Sequence, residues 1–318
     1  MKILGIFHAY VPKNNSGAEH TLHAINKWLV KEGVQVDVWC DRLESYKLDG
    51  VNIIGGKDRP NFAEYDLLFT HLNYSGLAVN VAREYKKNIV YFTHNDFRNG
   101  VVAIRRKGIY VVHNAKWGMY NQDIEHFPSI IVNPPTFLED YTIKGRRKQE
   151  YITLVNMSEP KGGKIIAEIA KRMPKQKFLG VIGAYGDQQI ADVPDNLEIM
   201  ETQNDIKKVL RNTKILLMPS RYESWGKVGV EAMVSGIPVI ANPTEGLKES
   251  LDYAGLFVER ENISAWVSTI ESLSDSDAYN KRSELCKLRA KELSPEPQLQ
   301  KLREFLNDIL NDKWKHNL

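Results

Sequence analysis

The chain contains 318 residues, of which 42% are apolar and 26% are charged, and its formal net charge is +3. This length is too great for one ordinary core and predicts two domains, while the apolar content excludes a disordered chain. The two cysteines, Cys40 and Cys286, match no metal-ligand spacing and indicate buried thiols in a reducing compartment. No apolar run approaches 18 residues and the N-terminus lacks a signal-peptide pattern, so we expect a soluble, cytoplasmic protein without a transmembrane segment.

The first half of the sequence alternates between strand and helix patterns. It opens with the buried-strand run KILGIFHAY and the loop VPKNNSG. The next segment, AEHTLHAINKWLVKEG, predicts a helix with four apolar side chains on one face: Leu22, Ile25, Leu29 and Val30. A second strand is VQVDVWC, and the later apolar runs are VNII, YDLLFTHL, NIVYFTH, GIYVVHN and SIIVNPP. Strands that alternate with helices predict a parallel sheet covered on both faces.

The same alternation restarts after the basic segment TIKGRRKQE, which we interpret as an interdomain linker. The second half contains the runs YITLVN, GKIIAEIAKRM, KFLGVIG, LEIME, DIKKVLRN, KILLMPS and PVIAN. We therefore predict two doubly wound α/β domains, at residues 1–147 and 148–294, with a ligand in the cleft between them at the carboxyl ends of the strands. Residues 295–318 carry one apolar helical stripe and are predicted to cross back to the first domain.

Two carboxylates stand eight positions apart in the segment MPSRYESWGKVGVEAMVSGIPVIAN. The strand KILLMPS ends at Ser220, so Glu223 follows at the edge where open α/β sheets bind their ligands. Glu231 is predicted to lie in the first two turns of the next helix. The less specific interpretation is that Glu231 is a helix-start carboxylate favoured by the dipole and that Glu223 is a surface loop residue.

The start of that helix is a predicted anion site. Its first N–H groups, at Lys227 and Val228, lack acceptors within the helix and suit phosphate oxygens. With a phosphate bound there, Glu231 is placed to accept hydrogen bonds from a ribose diol. Glu223 then faces the group that is attached beyond the phosphates. A sugar joined to a nucleoside diphosphate has these parts in this order.

Three blocks occur in a fixed order along the chain: NNSGAEHTLHAINKWLVKEGVQVDVW, then YITLVNMSEPKGGKIIAEIAKRMPKQKFLGVIG, then PSRYESWGKVGVEAMVSGIPVIA. They resemble the glycine loop, the Lys-Gly block and the E-x7-E signature of the retaining GT-B glycosyltransferases of family four. The variants PSRYESWGKV and VNMSEPKGG resemble most a branch met among bacterial and bacteriophage enzymes. The resemblance implies two Rossmann-like domains facing a central cleft, with the acceptor on the N-terminal domain and the nucleotide-sugar donor on the C-terminal one.

The resemblance also implies roles for single residues. Gly17 would let its loop approach the donor diphosphate, and Lys161 would neutralise the diphosphate as it leaves. Glu231 would bind the ribose, and Glu223 would contact the donor sugar near the reacting centre. His94, at the carboxyl end of NIVYFTH, matches the histidine that approaches the donor sugar. No metal or cofactor is expected, because Lys161 and backbone amides would stabilise the leaving group.

Two departures from the family pattern affect the donor side. Many members have Gly-Arg where this chain has Asn156-Met157, so one phosphate-binding arginine is absent. Lys227 or Arg221 would then supply the missing positive charge. The family's second glycine pair is replaced by Glu245-Gly246, which puts the usual backbone contacts of that loop in question.

Two further signals are assigned to structure rather than to metal binding. Asp275 and Asp277 form a D-x-D pattern, but they lie in a polar segment where aspartate begins helices. Six other histidines lack metal-ligand spacing and are expected to be structural or exposed: His8, His20, His23, His71, His113 and His126. Of these, the two that end strand-like runs, His71 and His113, are candidates for the acceptor side.

The acceptor has no motif of its own. A cell-envelope glycan or a lipid is the ordinary expectation for the family. The alternative is a hydroxymethylated base of duplex DNA, because between Arg83 and Lys116 the sequence has eight basic residues against two acidic ones. A solvated protein surface has the same appearance. Other functions to be tested are epimerisation or phosphorolysis on the same fold, and a nucleotide-sugar-binding or nucleic-acid-binding module without transfer activity.

Overall fold

The computed structural model describes residues 1–56, 58–94, 108–120, 127–145, 147–184 and 186–313. The chain divides into two compact units. Unit 1 consists of Met1–Pro135 together with Pro295–Leu318, and unit 2 consists of Thr136–Ser294. Within the described ranges, no helix is both long enough and apolar enough to cross a membrane.

The helices and strands alternate along the chain in both units. The strands are β1 (Lys2–Ile6), β2 (Gln35–Cys40), β3 (Tyr46–Leu48), β4 (Val51–Gly55), β5 (Leu67–His71), β6 (Asn88–Thr93), β7 (Ile109–His113), β8 (Ser129–Ile131), β9 (Tyr151–Val155), β10 (Phe178–Val181), β11 (Leu197–Met200), β12 (Thr213–Met218), β13 (Val239–Ala241) and β14 (Leu256–Phe257). The helices are α1 (Gly17–Lys31), α2 (Ser75–Glu84), α3 (Leu138–Tyr141), α4 (Gly163–Arg172), α5 (Lys207–Leu210), α6 (Lys227–Val234), α7 (Glu245–Leu251), α8 (Ile263–Ser272), α9 (Ser276–Glu292) and α10 (Glu296–Leu310).

Each unit is built on one sheet. In unit 1 the strand order is β3-β4-β2-β1-β5-β6-β7-β8, and every neighbouring pair is parallel except β3 with β4. In unit 2 the order is β11-β10-β9-β12-β13-β14, and all pairs are parallel. The order reverses next to β1 in the first sheet and next to β9 in the second, which is where doubly wound sheets bind their ligands. The predicted α/β class with two parallel-sheet domains is confirmed.

Apolar side chains from strands and covering helices fill the core of each unit. In unit 1, Leu4, Leu68 and Val111 of the central strands pack with Val79 of α2. In unit 2, the core joins strand residues to α4 and α8 and includes Ile152, Phe178, Ile166, Leu217 and the fully buried Trp266. Burial on both faces explains why these strands have continuous apolar runs in the sequence.

The C-terminal helix α10 belongs to unit 1. Its buried stripe consists of Leu299, Leu302, Phe305, Leu306 and Ile309. Arg303 Nη1 donates to Glu32 Oε2 over 2.7 Å, which ties α10 to the end of α1. Gln298 Nε2 donates to Asn133 Oδ1 over 2.7 Å, next to β8. The first unit therefore contains two segments that are far apart in the sequence.

The basic segment that we interpreted as a linker lies in unit 2. Ile143 N donates to Ser235 Oγ over 3.0 Å, and Arg147 Nη1 donates to Ser235 O over 2.6 Å. Arg147 Nη2 also donates to Thr213 O over 3.0 Å. These bonds attach the segment to the end of α6 and the start of β12, so the structure divides the chain after Pro135 rather than after residue 147.

Some elements are shorter than their sequence patterns. The run KILGIFHAY forms a strand only to Ile6, and the run DIKKVLRN forms a helix only over Lys207–Leu210. The D-x-D pattern is a helix cap: Asp275 Oδ1 accepts from Ala278 N over 2.8 Å at the start of α9. That bond provides a structural reason for an aspartate at this position.

Candidate active site

Two loops meet at the carboxyl edge of the second sheet. The strands β9 and β12 are parallel neighbours, so the loops that follow them emerge at the same edge. The first loop contains Lys161, and the second contains Ser220 and Glu223. Lys161 Nζ donates to Glu223 Oε1 over 2.5 Å, and Ser220 Oγ donates to the same oxygen over 2.9 Å. The structure thus brings together two predicted site residues, a partly buried cation and a partly buried carboxylate.

Backbone contacts hold these two loops against each other. Gly162 precedes α4 with a φ of +103°, and a Cβ at this position would lie 2.3 Å from Pro219 Cγ. Only glycine combines this backbone conformation with this close approach. Arg221 N donates to Pro160 O over 2.9 Å. The positions of Lys161 and Glu223 are therefore set by their neighbours on the main chain as well as by their own ion pair.

Glu231 lies on α6 in a buried pair with Lys227. Lys227 Nζ donates to Glu231 Oε1 and, over 2.7 Å, to Tyr141 Oη. The ammonium also lies 4.4 Å from the centroid of the Tyr141 ring. Burial acts to lower the pKa of Lys227, but Glu231 and Tyr141 outweigh it and the pKa is raised. The cation therefore stays charged and fixes one oxygen of Glu231.

The start of α6 presents backbone N–H groups at the same sheet edge. Gly226 precedes the helix with a φ of +77°, and a Cβ there would lie 2.3 Å from Leu247 Cδ2. Lys227 and Val228 are the first two residues of α6. The first N–H groups of a helix have no acceptor within the helix and attract anions. Because the Lys227 ammonium is held by Glu231 and Tyr141, its contribution at an anion site is its backbone N–H.

Two arginines that line an open cavity beside this edge share one glutamate, Glu159. Arg221 Nη2 donates to Glu159 Oε1 over 2.7 Å, and Arg260 Nη2 approaches the same oxygen at 3.2 Å. Arg260 is 7% exposed, and its Nε donates to Pro219 O over 2.8 Å. Both arginines line the cavity, together with Asn242. The sequence indicates Arg221 but not Arg260, because Arg260 follows β14 in a segment that carries no motif.

Asn156 and Met157, which stand where many family members have Gly-Arg, place their side chains away from a phosphate-binding role. Met157 is fully buried among the core residues of unit 2, so its side chain does not reach the sheet edge. Asn156 has a φ of +74°, a conformation that glycine adopts more readily, and its Oδ1 accepts from Ser158 N over 3.0 Å. A positive charge at this edge comes instead from Lys161, Arg221 and Arg260.

The loop at Glu245-Gly246 packs directly on the loop that carries Glu223. A Cβ at Gly246 would lie 2.2 Å from Glu223 O and 2.5 Å from Ser224 C. This glycine therefore permits a close backbone approach even though the family's other glycine is replaced by Glu245. The start of α7, whose Thr244 Oγ1 accepts from Leu247 N over 3.3 Å, lies against the Glu223 loop.

The other two predicted site residues belong to unit 1. Gly17 begins α1, and a Cβ built on it would meet nothing within 4 Å among the described residues. His94 follows β6, and burial lowers its pKa to about 4, so the ring is neutral at physiological pH. Its ring centroid lies 5.2 Å from that of His71, at the end of the neighbouring strand β5.

The remaining histidines and basic residues of unit 1 are partly outside the described ranges. His113 ends β7 and is buried, and burial lowers its pKa to about 4. Of the basic residues between Arg83 and Lys116, four lie outside the described residues: Arg98, Arg105, Arg106 and Lys107. His126 also lies outside them. Lys87, which is described, donates from Nζ to Ala63 O over 2.8 Å.

Unit 1 contains a cluster of polar residues that the sequence does not predict. The ligand atoms of His8, Glu19 and His71 all lie within 4.8 Å of one another. His8 follows β1, His71 ends the neighbouring strand β5, and Glu19 lies in the first turn of α1. In the sequence these residues are visible as polar side chains at the ends of two strands and at the start of a helix. A search for metal ligands at fixed short spacings does not detect them, because His71 is far from the other two in the sequence.

Comparison with known proteins matches one family over unit 2. Residues 157–292 match the family model of the glycosyl transferases group 1. A Klebsiella pneumoniae protein described as an uncharacterized 41.2 kDa protein in the cps region is 31% identical over 168 residues, covering 46% of this chain and 47% of that protein. The D-inositol 3-phosphate glycosyltransferase of Corynebacterium kroppenstedtii is 37% identical over 75 residues, covering 23% of this chain and 17% of that protein. The chain thus spans less than half the length of these curated relatives.

Solved structures match the whole chain. Sucrose-phosphate synthase from Thermosynechococcus elongatus aligns with a TM-score of 0.82 at 15% identity, covering 98% of this chain and all of that one. Anabaena HepE in complex with UDP-glucose aligns with a TM-score of 0.81 at 16% identity, covering 97% of this chain and all of that one. At this identity the likeness shows the fold. The chain therefore has the GT-B fold, and its residues 157–292 match the glycosyl transferases group 1 family.

Proposed function

We propose that the protein is a retaining glycosyltransferase that moves a sugar from a nucleoside diphosphate sugar to an acceptor hydroxyl. The observation that carries this proposal is the Lys161–Glu223 pair, held beside the N-terminus of α6 at the carboxyl edge of the second sheet. The match of residues 157–292 to group 1 glycosyltransferases supports the same activity. HepE, a structural neighbour, was solved with UDP-glucose, which supports a nucleotide-sugar donor here.

In the proposed mechanism, the donor diphosphate binds at the first N–H groups of α6 and beside Lys161. Glu231, which Lys227 orients, accepts hydrogen bonds from the ribose. As the diphosphate leaves, Lys161 stabilises the charge that develops on it. The sugar becomes oxocarbenium-like, the acceptor hydroxyl attacks from the face on which the diphosphate departs, and the hydroxyl proton passes to the oxygen of the departing diphosphate. Glu223, which accepts a hydrogen bond from Lys161, stabilises the positive charge of the sugar.

A transfer assay with a panel of nucleotide sugars tests the activity, and the anomeric configuration of the product tests retention. We expect one donor to be consumed, slowly by hydrolysis alone and faster with the correct acceptor. NMR of the product should show the anomeric configuration of the donor. An inverted product would overturn the retaining mechanism. Nucleotide binding without hydrolysis or transfer of any donor would favour a binding module.

Glu231→Gln is expected to weaken donor binding by between about 10-fold and 150-fold. This range corresponds to about 1.5–3 kcal/mol for hydrogen bonds to a charged group. Glutamine keeps an oxygen that accepts from Lys227 but removes the paired anion, so circular dichroism must establish that the variant is folded. Calorimetric titration with the nucleoside diphosphate measures the effect. Glu168→Gln, an exposed glutamate paired with Lys171, serves as the matched control. Equal affinities of Glu231→Gln and the wild type would show that Glu231 serves only as the buried partner of Lys227.

Transfer is expected to persist, within about twofold, when EDTA removes free divalent ions. In the proposed mechanism Lys161 and helix N–H groups stabilise the leaving group, so the chemical step needs no metal. Asp275, the first carboxylate of the D-x-D pattern, is engaged as the cap of α9. A strict requirement for a divalent ion, together with loss of transfer activity in Asp275→Asn and Asp277→Asn, would contradict this prediction. A proposed role for these aspartates would then replace the metal-free mechanism.

We propose a cell-envelope glycan or lipid as the acceptor. The Klebsiella relative is described as a protein of a cps region, and several relatives are named D-inositol 3-phosphate glycosyltransferases. The second candidate is a hydroxymethylated base of duplex DNA, as in an enzyme of bacteriophage type. The excess of six positive charges between Arg83 and Lys116 favours it.

Salt dependence separates the two acceptors. If the acceptor is duplex DNA, its binding is expected to weaken steeply with salt, because each neutralised phosphate releases counterions. The double reversal of Arg105 and Arg106 to Glu should then lower affinity for all sequences alike, since phosphate contacts do not read bases. A fluorescence-anisotropy titration with hydroxymethylated and unmodified duplexes measures both effects. Binding that does not change with salt, together with full transfer by the double variant, would exclude the DNA acceptor.

A further inference from the structure

The carboxyl edge of the first sheet carries a compact group of metal-ligating side chains. β1 and β5 are parallel neighbours, with Ile6 opposite Thr70. His71 ends β5, and His8 lies two residues beyond the end of β1. The loop after β1 leads into α1, whose first turn contains Glu19. Three separate backbone segments thus converge on one point of unit 1.

The three side chains form a polar cluster inside a largely buried environment. His71 is fully buried, Glu19 is 4% exposed, and His8 is partly buried. The Phe7 ring packs edge-on against the His71 ring at 4.9 Å, which fixes the plane of the imidazole. The rings of His8 and His71 lie 5.4 Å apart. This placement is built into the fold by the strand register and the Phe7 contact.

Three of the four ring nitrogens in this cluster are buried without a hydrogen-bond partner among the described residues. Among the described residues, both nitrogens of His71 and Nδ1 of His8 are buried and have no hydrogen-bond partner. Buried polar atoms in native proteins are nearly always bonded, so each exception needs an explanation. A ligand that accepts electron pairs from nitrogen provides one. The unprotonated nitrogen of a neutral imidazole is the atom that binds a metal ion.

We propose that His8, Glu19 and His71 bind a divalent transition-metal ion, with Zn²⁺ as the best fit. Two imidazole nitrogens and one carboxylate oxygen form a donor set that zinc sites use, with water completing a tetrahedron. Mg²⁺ and Ca²⁺ prefer oxygen ligands and are disfavoured here. A phosphate or other anion is also disfavoured, because the cluster offers neutral imidazoles and an acidic side chain.

The three ligand atoms must move towards one another to form the site. The ligand atoms lie within 4.8 Å of one another. In a tetrahedral complex, zinc bonds of about 2.0–2.2 Å place two ligand atoms about 3.4 Å apart, so the longest separation must shorten by up to roughly 1.4 Å. Rotation of the His8 side chain, which is only partly buried, can supply this movement towards Glu19, whose Oε2 accepts from Ser16 Oγ. The metal takes no part in the diphosphate chemistry proposed for unit 2.

Titration of the metal-stripped, full-length protein with ZnCl2 tests this site by calorimetry. We expect one ion per chain, and we expect Co²⁺ to give the intense visible absorption of a tetrahedral complex. Glu19→Gln and His8→Ala should each weaken Zn²⁺ binding at least tenfold, because each removes one of three protein ligands. His23→Gln is the matched control on α1, since His23 bonds to Tyr10 and Asp49 outside the cluster.

The wild-type measurements alone can overturn the proposal. If the wild type binds no Zn²⁺, or if Co²⁺ gives only the weak spectrum of an octahedral aqua-like complex, the site does not exist. If all three variants bind Zn²⁺ as the wild type does, the ion binds elsewhere. Loss of binding in His23→Gln with retention in Glu19→Gln would assign the ion to the surface pair of His23 and Asp49. Circular dichroism establishes that each variant is folded.

Discussion

Glu223→Gln is expected to reduce sugar transfer by at least about 1,000-fold while leaving nucleotide affinity within a few-fold of the wild type. The proposed role of the carboxylate is to stabilise positive charge that exists only near the transition state, and such interactions affect turnover more than ground-state binding. Glutamine has the same shape and still accepts from Ser220, so the loop should keep its conformation. Initial rates with saturating donor, and calorimetry with the nucleoside diphosphate, measure the two effects separately.

The matched control is Glu245→Gln. Glu245 begins the adjacent helix α7, is exposed, and pairs with Lys248 on the surface. Its replacement should leave transfer unchanged. If Glu223→Gln instead weakens nucleotide binding while turnover persists, Glu223 belongs to the nucleotide and not to the sugar. The mechanism would then need another group near the reacting carbon.

Lys161→Ala is the second substitution with a large expected effect, a loss of about 100-fold to 1,000-fold in the rate of transfer. A diphosphate gains negative charge as it leaves, and removal of one pre-positioned stabilising group typically costs this much. The substitution also leaves Glu223 without the partner that lies 2.5 Å away. A donor with a better leaving group, such as a nitrophenyl glycoside, should recover part of the loss because it needs less stabilisation.

Lys164→Ala is the control for charge alone. Lys164 lies three residues further on, on the exposed face of α4. Its removal changes the net charge of unit 2 equally and should not alter the rate. Equal losses in the two variants would indicate a long-range electrostatic effect. Full transfer by Lys161→Ala would place the leaving-group cation elsewhere, with Arg221 and Arg260 as the next candidates.

The fold was accessible from the sequence because its signals are local and repeated. Buried parallel strands give continuous apolar runs such as KILLMPS, and the helices between them have one apolar face. The lengths of short elements were not accessible. The run DIKKVLRN has a helical pattern, yet only Lys207–Leu210 is helical, since tertiary contacts rather than propensity set the ends of such elements.

The candidate site was only partly accessible from the sequence. Glu223 and Glu231 stand in one motif, and the topology places Lys161 beside Glu223, so that part could be predicted. Tyr141 and Arg260 could not be, because each reaches its partners from a segment without a motif. The partner of Lys227 was also not predictable. We predicted that the Lys227 ammonium would bind a phosphate. A buried ammonium requires a paired anion, and Glu231, one turn away on α6, provides that anion.

The arrangement of α10 has a consequence for how the protein is made. Unit 1 is completed by a segment that leaves the ribosome after all of unit 2. Until then, the apolar surface that Leu299, Leu302 and Phe305 cover is exposed on the nascent first unit. Unit 2 is one continuous segment of the chain, so it can fold during synthesis. Unit 1 cannot complete its fold until α10 has been synthesised. A ribosome that stalls before residue 296 therefore leaves a nascent chain with an uncovered apolar face, which is a substrate for chaperones and for aggregation.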